Sequence, residues 1–114
     1  MTVAVSPEMV PQIVAEAQTA AQTAAAKFFQ ERLGGKDQYA CGFAWVEIYG
    51  VKGNTKLGKM LKAGVRQDYT KAFQIWNPSG LTVQNVDCKE VGAQAAADVF
   101  KKYGFTAYAG SRLD

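Results

Sequence analysis

The most consequential absence in this 114-residue chain is histidine, which occurs nowhere in the sequence. Without histidine there is no Ser-His-Asp or Cys-His catalytic group and no imidazole ligand for zinc. No unperturbed side chain then titrates near neutral pH. We therefore expect a protein that is not an enzyme, and we expect neither a cofactor nor a metal site.

The chain also has no apolar run of 18 or more residues, so the sequence predicts no membrane-spanning segment. Its first eleven residues are neither basic nor followed by a long apolar stretch, and no secretory signal is expected. Cysteine is scarce, with only Cys41 and Cys88. Without an export signal, we expect both to be reduced thiols in a cytosol.

Length and composition predict one folded domain over residues 1–114. Hydrophobic residues make up 48% of the chain and charged residues 20%, as in ordinary globular domains. The net charge of +3 is too small to indicate a nucleic-acid-binding protein by itself. Six basic residues nevertheless lie between positions 52 and 71, against one acid, so we expect an anionic partner to approach this stretch first.

A long helix is predicted near the start of the chain. Apolar residues, mostly alanine, recur every three or four positions from residue 11 to residue 33, and Gly34 ends the run. We expect residues 1–10, ahead of this helix, to be flexible. Because alanine is small, the stripe permits close approach to another surface.

Residues 41–110 alternate between strand and helix patterns and are expected to form an α+β core. A turn at Asn77–Gly80 is predicted to join two strands, and Asp87 is predicted to cap the last helix. The predicted elements are strands over 42–50, 69–76, 81–86 and 105–109 and helices over 55–63 and 88–103, with a short tail after the last strand. This order predicts a ferredoxin-like βαββαβ antiparallel sheet with an additional long N-terminal helix.

Alternate residues of the first predicted strand divide it into two different sides. Ala44, Val46 and Ile48 form a smooth aliphatic side, and the positions between and around them carry three aromatic rings and Glu47. The same alternation in the other strands predicts that one open face of the sheet collects the aromatic side chains. Its predicted members are Phe43, Trp45, Tyr49, Gln74, Trp76 and Tyr108.

The sequence leaves open what covers this aromatic face. If all the rings were fully exposed, they would form a patch larger than solitary soluble proteins usually carry. The alanine-rich first helix, a second subunit, or a ligand whose rings stack on the sheet can each supply the cover. Near the end of the chain, Arg112 suits bidentate binding of a phosphate or carboxylate, and a surface pair with Asp114 is the alternative.

Three segments together resemble a group of small proteins encoded by tailed bacteriophages and prophages. They are CGFAWV at 41–46, QN at 84–85 after an aromatic strand, and a lysine- and alanine-rich helix leading to GFTAYAGSRLD at 104–114. The resemblance covers about residues 38–114. It implies a protein made in the cytoplasm of an infected bacterial host, and it supplies no catalytic residue. Small accessory phage proteins often modify host processes or block host defence.

We therefore predict a non-enzymatic phage accessory protein, expected to be a homo-oligomer, that binds a small anionic aromatic ligand. A nucleotide signal of host defence, which the protein would sequester, is one concrete version. The predicted ligand-binding residues are Trp45, Tyr49, Trp76 and Tyr108, whose rings stack on the base, and Arg66, Lys71 and Arg112, which neutralise phosphate. Three alternatives remain. The first is a protein-interaction module that inhibits a host enzyme or serves as an assembly component, and the second is a surface for single-stranded nucleic acid. The last is a hydrolase that uses Glu47 or Asp114.

Overall fold

The structure is a computed structural model that describes residues 6–36, 41–51, 56, 58–59, 66–67, 73–80 and 85–113, with only the backbone at 66–67. A 3₁₀ turn over Pro7–Met9 leads into helix α1 over Val10–Glu31, and the second long helix, α2, spans Val86–Lys102. The strands are β1 over Gly42–Tyr49, β2 over Arg66–Gln67, β3 over Phe73–Trp76 and β4 over Thr106–Leu113.

The strands lie in the order β2-β3-β1-β4, and every neighbouring pair is antiparallel. Three of them, β1, β3 and β4, carry most of the sheet, and the two-residue β2 pairs with β3 at one end of the order. An α+β architecture with a long N-terminal helix and an antiparallel sheet is thus confirmed. No helix among the described residues combines the length and apolar character needed to cross a membrane.

The first helix forms as its periodicity predicts and begins one residue earlier than expected. It ends at Glu31, and Gly34 and Gly35 follow in the left-handed backbone conformation, with φ of 63° and 77°. Glycine adopts that conformation at little steric cost, which explains why the chain turns here. The buried residues of α1 recur at helical spacing and are Val10, Ile13, Ala17, Ala21 and Ala25.

Both helices lie on the aliphatic side of the sheet. Ala44, Val46 and Ile48 are at most 1% exposed and belong to the same hydrophobic core as the buried faces of α1 and α2. A side chain on Gly92 of α2 would lie 3.2 Å from the carbonyl oxygen of Ala21, so small residues let the two helices approach closely. Helix α1 therefore does not cover the aromatic face, which removes one of the three covers that the sequence left open.

Helix α2 begins two residues before the predicted start, and its cap is Asn85 rather than Asp87. The side-chain oxygen of Asn85 accepts a hydrogen bond from the backbone N–H of Cys88 at 2.8 Å. Asn85 is 1% exposed and bridges to Cys41 beside the sheet, whereas Asp87 is exposed in the first helical turn. Both residue types are good caps, and burial against the sheet selects the first.

Two strand predictions need correction. In the predicted returning strand over 81–86, residues 81–84 lie outside the described residues, Asn85 forms a single bridge, and Val86 already belongs to α2. The predicted tail after residue 109 is wrong, because β4 continues to Leu113 and pairs with β1 along its whole length. Of the predicted 69–76 strand and 55–63 helix, the described parts are β3 and three helical residues, Lys56, Gly58 and Lys59.

Candidate functional site

The face of the sheet opposite the helices carries five aromatic side chains, and we call it the ring face. Its position follows from strand alternation: the even-numbered residues of β1 are buried, and the odd-numbered ones point to the other side. The described residues of the ring face are Phe43, Trp45, Glu47, Tyr49, Gln74, Trp76, Thr106, Tyr108, Gly110 and Arg112.

The rings cover one another in part, so the exposed apolar area is moderate. Phe43 and Tyr49 are each 38% exposed, Trp76 37% and Tyr108 54%. At about 150–250 Å² for each side chain, these fractions leave roughly 250–420 Å² of ring surface exposed. The largest apolar patch on a typical monomer is about 300–600 Å² and often functional. The ring face is therefore a normal size for a binding patch, and it does not by itself require a permanent cover.

A pair of stacked indoles lies at the middle of the ring face. Trp45 of β1 and Trp76 of β3 are directly opposite in the register, and their ring centroids are 4.7 Å apart at an interplanar angle of 25°. Phe43 meets Trp76 edge to face, with centroids 6.3 Å apart. Because these rings come from adjacent strands, backbone pairing fixes the stack.

A guanidinium group lies beside this stack. Arg112 of β4 is opposite Phe43 in the register, and its Cζ lies 5.4 Å from the centroid of Phe43 and 6.0 Å from that of Trp76. No carboxylate of the described residues forms an ion pair with it. A guanidinium carries five donors in a planar fork, the geometry that binds phosphate and carboxylate.

Three polar atoms of the rings have hydrogen-bond partners within the ring face. The Glu47 carboxylate accepts a hydrogen bond from the indole N–H of Trp45 at 2.8 Å and another from the hydroxyl of Tyr49 at 2.7 Å. The indole N–H of Trp76 donates to the side-chain oxygen of Gln74 at 3.0 Å. Glu47 and Gln74 therefore fix the orientation of the rings.

Gly110 determines the position of the Trp45 indole, and this role was not predicted from the sequence. The two residues are opposite each other in the β1–β4 register, and a Cβ on Gly110 would lie 2.6 Å from Cε2 of the indole. The indole thus lies directly over the glycine, a pairing known to support glycine within strands. The available signal was an aromatic residue opposite a glycine, but it requires the register to be known.

Two lysines of α2 reach the margins of the ring face and were also missed. The ammonium of Lys89 donates to the carbonyl oxygen of Gly42 at 2.8 Å and lies 5.4 Å from the centroid of Phe43. The ammonium of Lys101 lies 5.9 Å from the centroid of Tyr108. Lys89 is 7% exposed, which is unusual for a lysine. Positive charge therefore borders the rings from the helix side.

The structure brings together most of the predicted ligand-binding residues. Trp45, Trp76 and Arg112 form one cluster, and Tyr49 and Tyr108 meet edge to face with centroids 6.0 Å apart. The backbone register places Arg66 opposite Gln74 of the ring face, while its side chain lies outside the description. Lys71 lies outside the described residues.

Two clefts that described residues line lie away from the ring face. One, of about 470 Å³, lies between α1 and the turn at residues 77–80, and its lining includes Gln18, Gln22 and Asn77. Another, of about 270 Å³, runs along α2 beside Asp87 and Glu90. Among the described residues, no group of three histidine, cysteine, aspartate or glutamate side chains is placed to hold a metal ion.

Comparison with protein-family models, with curated proteins and with solved structures gave no match to this chain. The functional assignment therefore depends on the geometry of the ring face.

Proposed function

We propose that this protein binds a small anionic aromatic ligand, of the nucleotide class, on the ring face, and that it does so without catalysing a reaction. The observation that carries the proposal is the Trp45–Trp76 stack with the guanidinium of Arg112 beside it. Stacked indoles offer a flat apolar surface to a base, and an arginine fork beside them offers donors to a phosphate.

The area of the ring face favours a small ligand over a large protein partner. A standard protein interface covers about 800 Å² on each partner, about two to three times the exposed ring surface estimated above. A single base with its phosphate needs only a few rings and one or two cations. The lysines at the margin, Lys89 and Lys101, add positive charge where an anionic group would lie.

We propose that the complete fold is ferredoxin-like. The position of β3 between β1 and β2, and of β1 between β3 and β4, supports this, because the split βαβ arrangement separates consecutive parallel strands in this way. The helical residues Lys56, Gly58 and Lys59 lie where a helix would connect β1 to β2. In that arrangement the two central strands carry the stacked indoles.

We also propose the biological setting that the resemblance implies. The CGFAWV and SRLD segments support an accessory phage protein acting in the cytoplasm of an infected bacterium. Binding without turnover suits sequestration of a nucleotide signal of host defence, because removal of a signal requires affinity and no catalytic group.

Calorimetric titration with a panel of linear and cyclic nucleotides tests the proposal. We expect at least one nucleotide to bind. Base stacking is worth about 1–3 kcal/mol, so Trp76→Ala is expected to weaken binding about 5- to 140-fold. Arg112→Ala is expected to weaken it about tenfold or more, since hydrogen bonds to charged groups contribute about 1.5–3 kcal/mol.

Arg32→Ala is the matched control, because Arg32 is an exposed arginine at the end of α1 on the other side of the sheet. It should leave the affinity unchanged. Silence across the panel at high micromolar concentration, or a nucleotide whose affinity is indifferent to both ring-face variants, would contradict the proposal. Short single-stranded oligonucleotides belong in the panel, and tight binding to them alone, falling steeply with salt, would indicate the nucleic-acid alternative.

A second candidate is a protein-interaction module that inhibits a host enzyme or serves in an assembly. The specific observation in its favour is that Glu47 and Gln74 already satisfy both indole N–H groups and the hydroxyl of Tyr49, which leaves a largely apolar surface of the residue types that dominate interface energies. A pull-down from host lysate that yields one stoichiometric protein, retained by Arg32→Ala and lost with Trp76→Ala, would favour it.

A further inference from the structure

The outer edge of β4 is a second feature of the sheet that can bind a partner, because its backbone groups can form further hydrogen bonds. Within the described part of the chain, β4 has a neighbouring strand on one side only, the side of β1. It is one of the two longest strands, with eight residues over Thr106–Leu113. A long strand at the edge of a sheet presents unpaired backbone N–H and C=O groups that can pair with another chain.

The hydrogen bonds of β1 show which residues of β4 direct these groups outward. The carbonyl of Ala44 accepts from the backbone N–H of Asn77 at 2.9 Å, and the carbonyl of Gly42 accepts from Lys89. Asn77 directly follows β3, so the even-numbered residues of β1 direct their backbone groups away from β4, and the odd-numbered ones direct theirs toward it.

The register then fixes the pattern on β4 itself. Trp45 is opposite Gly110 and Glu47 is opposite Tyr108, so the even-numbered residues of β4 are bonded to β1. The residues of β4 that direct N–H and C=O toward its outer edge, away from β1, are Ala107, Ala109, Ser111 and Leu113.

The side chains of β4 make the same edge apolar. Tyr108 at 54% and Leu113 at 69% are the two most exposed large hydrophobic residues of the described chain, and both belong to this strand. They lie on opposite faces of the sheet, since their positions differ by an odd number. Ser111 and Leu113 are exposed and Ala109 is half-buried, whereas Ala107 is only 1% exposed, so the part of this edge that meets water runs from Ala109 to Leu113.

We propose that two copies of this chain pair β4 with β4 in an antiparallel dimer centred on Gly110, which joins their sheets into one. A twofold axis makes an antiparallel strand its own complement. Centring on Gly110 places Ala109 of each copy opposite Ser111 of the other. The outward-facing backbone groups of both residues are then hydrogen bonded across the seam. The proposal does not depend on the identity of the ligand.

This register also pairs complementary side chains. On the ring face, Tyr108 falls opposite Arg112 of the second copy, and the twofold axis repeats the pair, so a cation faces a tyrosine ring twice. These positions are non-hydrogen-bonded pairs, in which side chains approach most closely. On the other face, Ala109 lies opposite Ser111 of the second copy, and both side chains are small. The ring faces of the two copies then adjoin along the seam.

The first test needs no variant and combines solution mass with amide hydrogen exchange followed by NMR. At high protein concentration we expect twice the chain mass of 12.3 kDa. The amides of Ala109 and Ser111 should be protected in the dimer and lose protection on dilution. The amides of Tyr108 and Gly110, bonded to β1, should stay protected at every concentration.

A monomeric mass at 1 mM protein would overturn the proposal. A dimeric mass with freely exchanging amides at Ala109 and Ser111 would also overturn it, because the dimer would then use another surface.

A charge exchange tests the register. Tyr108→Arg places an arginine opposite Arg112 of the other copy in both pairs. We expect the repulsion between these like charges to weaken the dimer at least tenfold. Adding Arg112→Glu converts both pairs to opposite charges and should restore association. Arg32→Glu is the control, and we expect it to leave the affinity of the dimer unchanged. If Tyr108→Arg leaves the affinity unchanged, or if the double variant fails to recover association while retaining the fold by circular dichroism, the register is wrong.

Discussion

At the scale of single residues, the ring face depends on groups that hold its rings in place. Glu47 receives hydrogen bonds from residues two positions before and after it on β1, so one carboxylate orients an indole and a phenol. Gly110 offers the flat surface on which the indole of Trp45 lies. Neither residue is aromatic or basic, yet both determine where the aromatic groups are.

The glycine at position 110 gives the first prediction. Gly110→Ala places a methyl group within 2.6–2.8 Å of three indole atoms, so the indole of Trp45 must move. Overpacking of this kind costs about 1–3 kcal/mol. Urea denaturation should show a loss of stability in that range, and tryptophan emission should shift as the indole becomes more exposed.

Thr106→Ala, on the same face of β4, is the control and should change stability little. In a Trp45→Ala background, Gly110→Ala should cost less than it does in the wild type, because the clash is gone. Equal costs in the two backgrounds would show that the glycine does not act through Trp45.

The buried ammonium of Lys89 gives the second prediction. Lys89→Met keeps the length of the side chain and removes the donor that serves the carbonyl oxygen of Gly42. An unsatisfied buried carbonyl costs about 1–3 kcal/mol, so the free energy of unfolding should fall by that amount. Lys27→Met on the exposed side of α1 should change it by less than about 0.5 kcal/mol. Similar small effects for both variants would mean that water replaces the lysine.

At the scale of elements, helical periodicity was the reliable signal and strand boundaries were not. Helix α1 was predicted to within two residues because its alanine stripe and the following glycines agree. The last four residues of β4 were not predicted, because a glycine such as Gly110 usually ends a strand. The contact between Gly110 and Trp45 explains why β4 continues past it. The start of α2 was misplaced because Asn85 and Asp87 are equally good caps, and burial, which selects between them, is a property of the fold.

The capping residue of α2 gives an element-scale prediction. Asn85→Ala removes the acceptor for the N–H of Cys88 and leaves that donor buried, so thermal or chemical denaturation should show a loss of about 1 kcal/mol, within the range of 0.5–2 kcal/mol for N-caps. Asp87→Ala removes only a charge near the helix N-terminus and should cost about 0.3–1 kcal/mol. A larger effect for Asp87→Ala than for Asn85→Ala would indicate that Asp87 is the capping residue, as the sequence predicted.

The contact between α1 and the end of α2 makes stability depend on pH. The carboxylate of Glu16 accepts hydrogen bonds from the ammonium of Lys102 and, at 2.7 Å, from the hydroxyl of Tyr103. These bonds lower the pKa of Glu16 below its ordinary value of 4.5. The bonds to Glu16 also raise the pKa of Lys102 and the pKa of Tyr103 above their ordinary values of 10.5 and 10.0.

Because the pKa of Glu16 is lower in the folded state, its contribution to stability is present above about pH 4.5 and is lost as pH falls through the lowered value. The contributions of Lys102 and Tyr103 are present at neutral pH and are lost as pH rises through their raised values. Glu16→Gln should therefore reduce the fall in Tm between pH 7 and pH 3, and Glu31→Gln, at the exposed end of α1, should not. Parallel Tm profiles for wild type and Glu16→Gln would contradict this assignment.

At the scale of the whole molecule, the described helices lie on one side of the sheet and leave the ring face toward solvent. The sequence predicts this division, since strand alternation separates Ala44, Val46 and Ile48 from the rings. It does not predict the cations from α2 beside the rings, because a lysine such as Lys89 carries no sign in the sequence that its helix will bring it to Phe43. Contacts between distant segments become visible only once the sheet order and register are known.

The central claim, that the ring face is the surface through which this protein binds its partner, has a direct spectroscopic test. The chain contains two tryptophans, and both lie on the ring face. The two indole N–H signals of ¹⁵N-labelled protein therefore report on this surface alone. When a bound nucleotide, oligonucleotide or host protein is added, both signals should shift and saturate with the measured affinity. A partner that binds tightly and leaves both indole signals unchanged would contradict the claim.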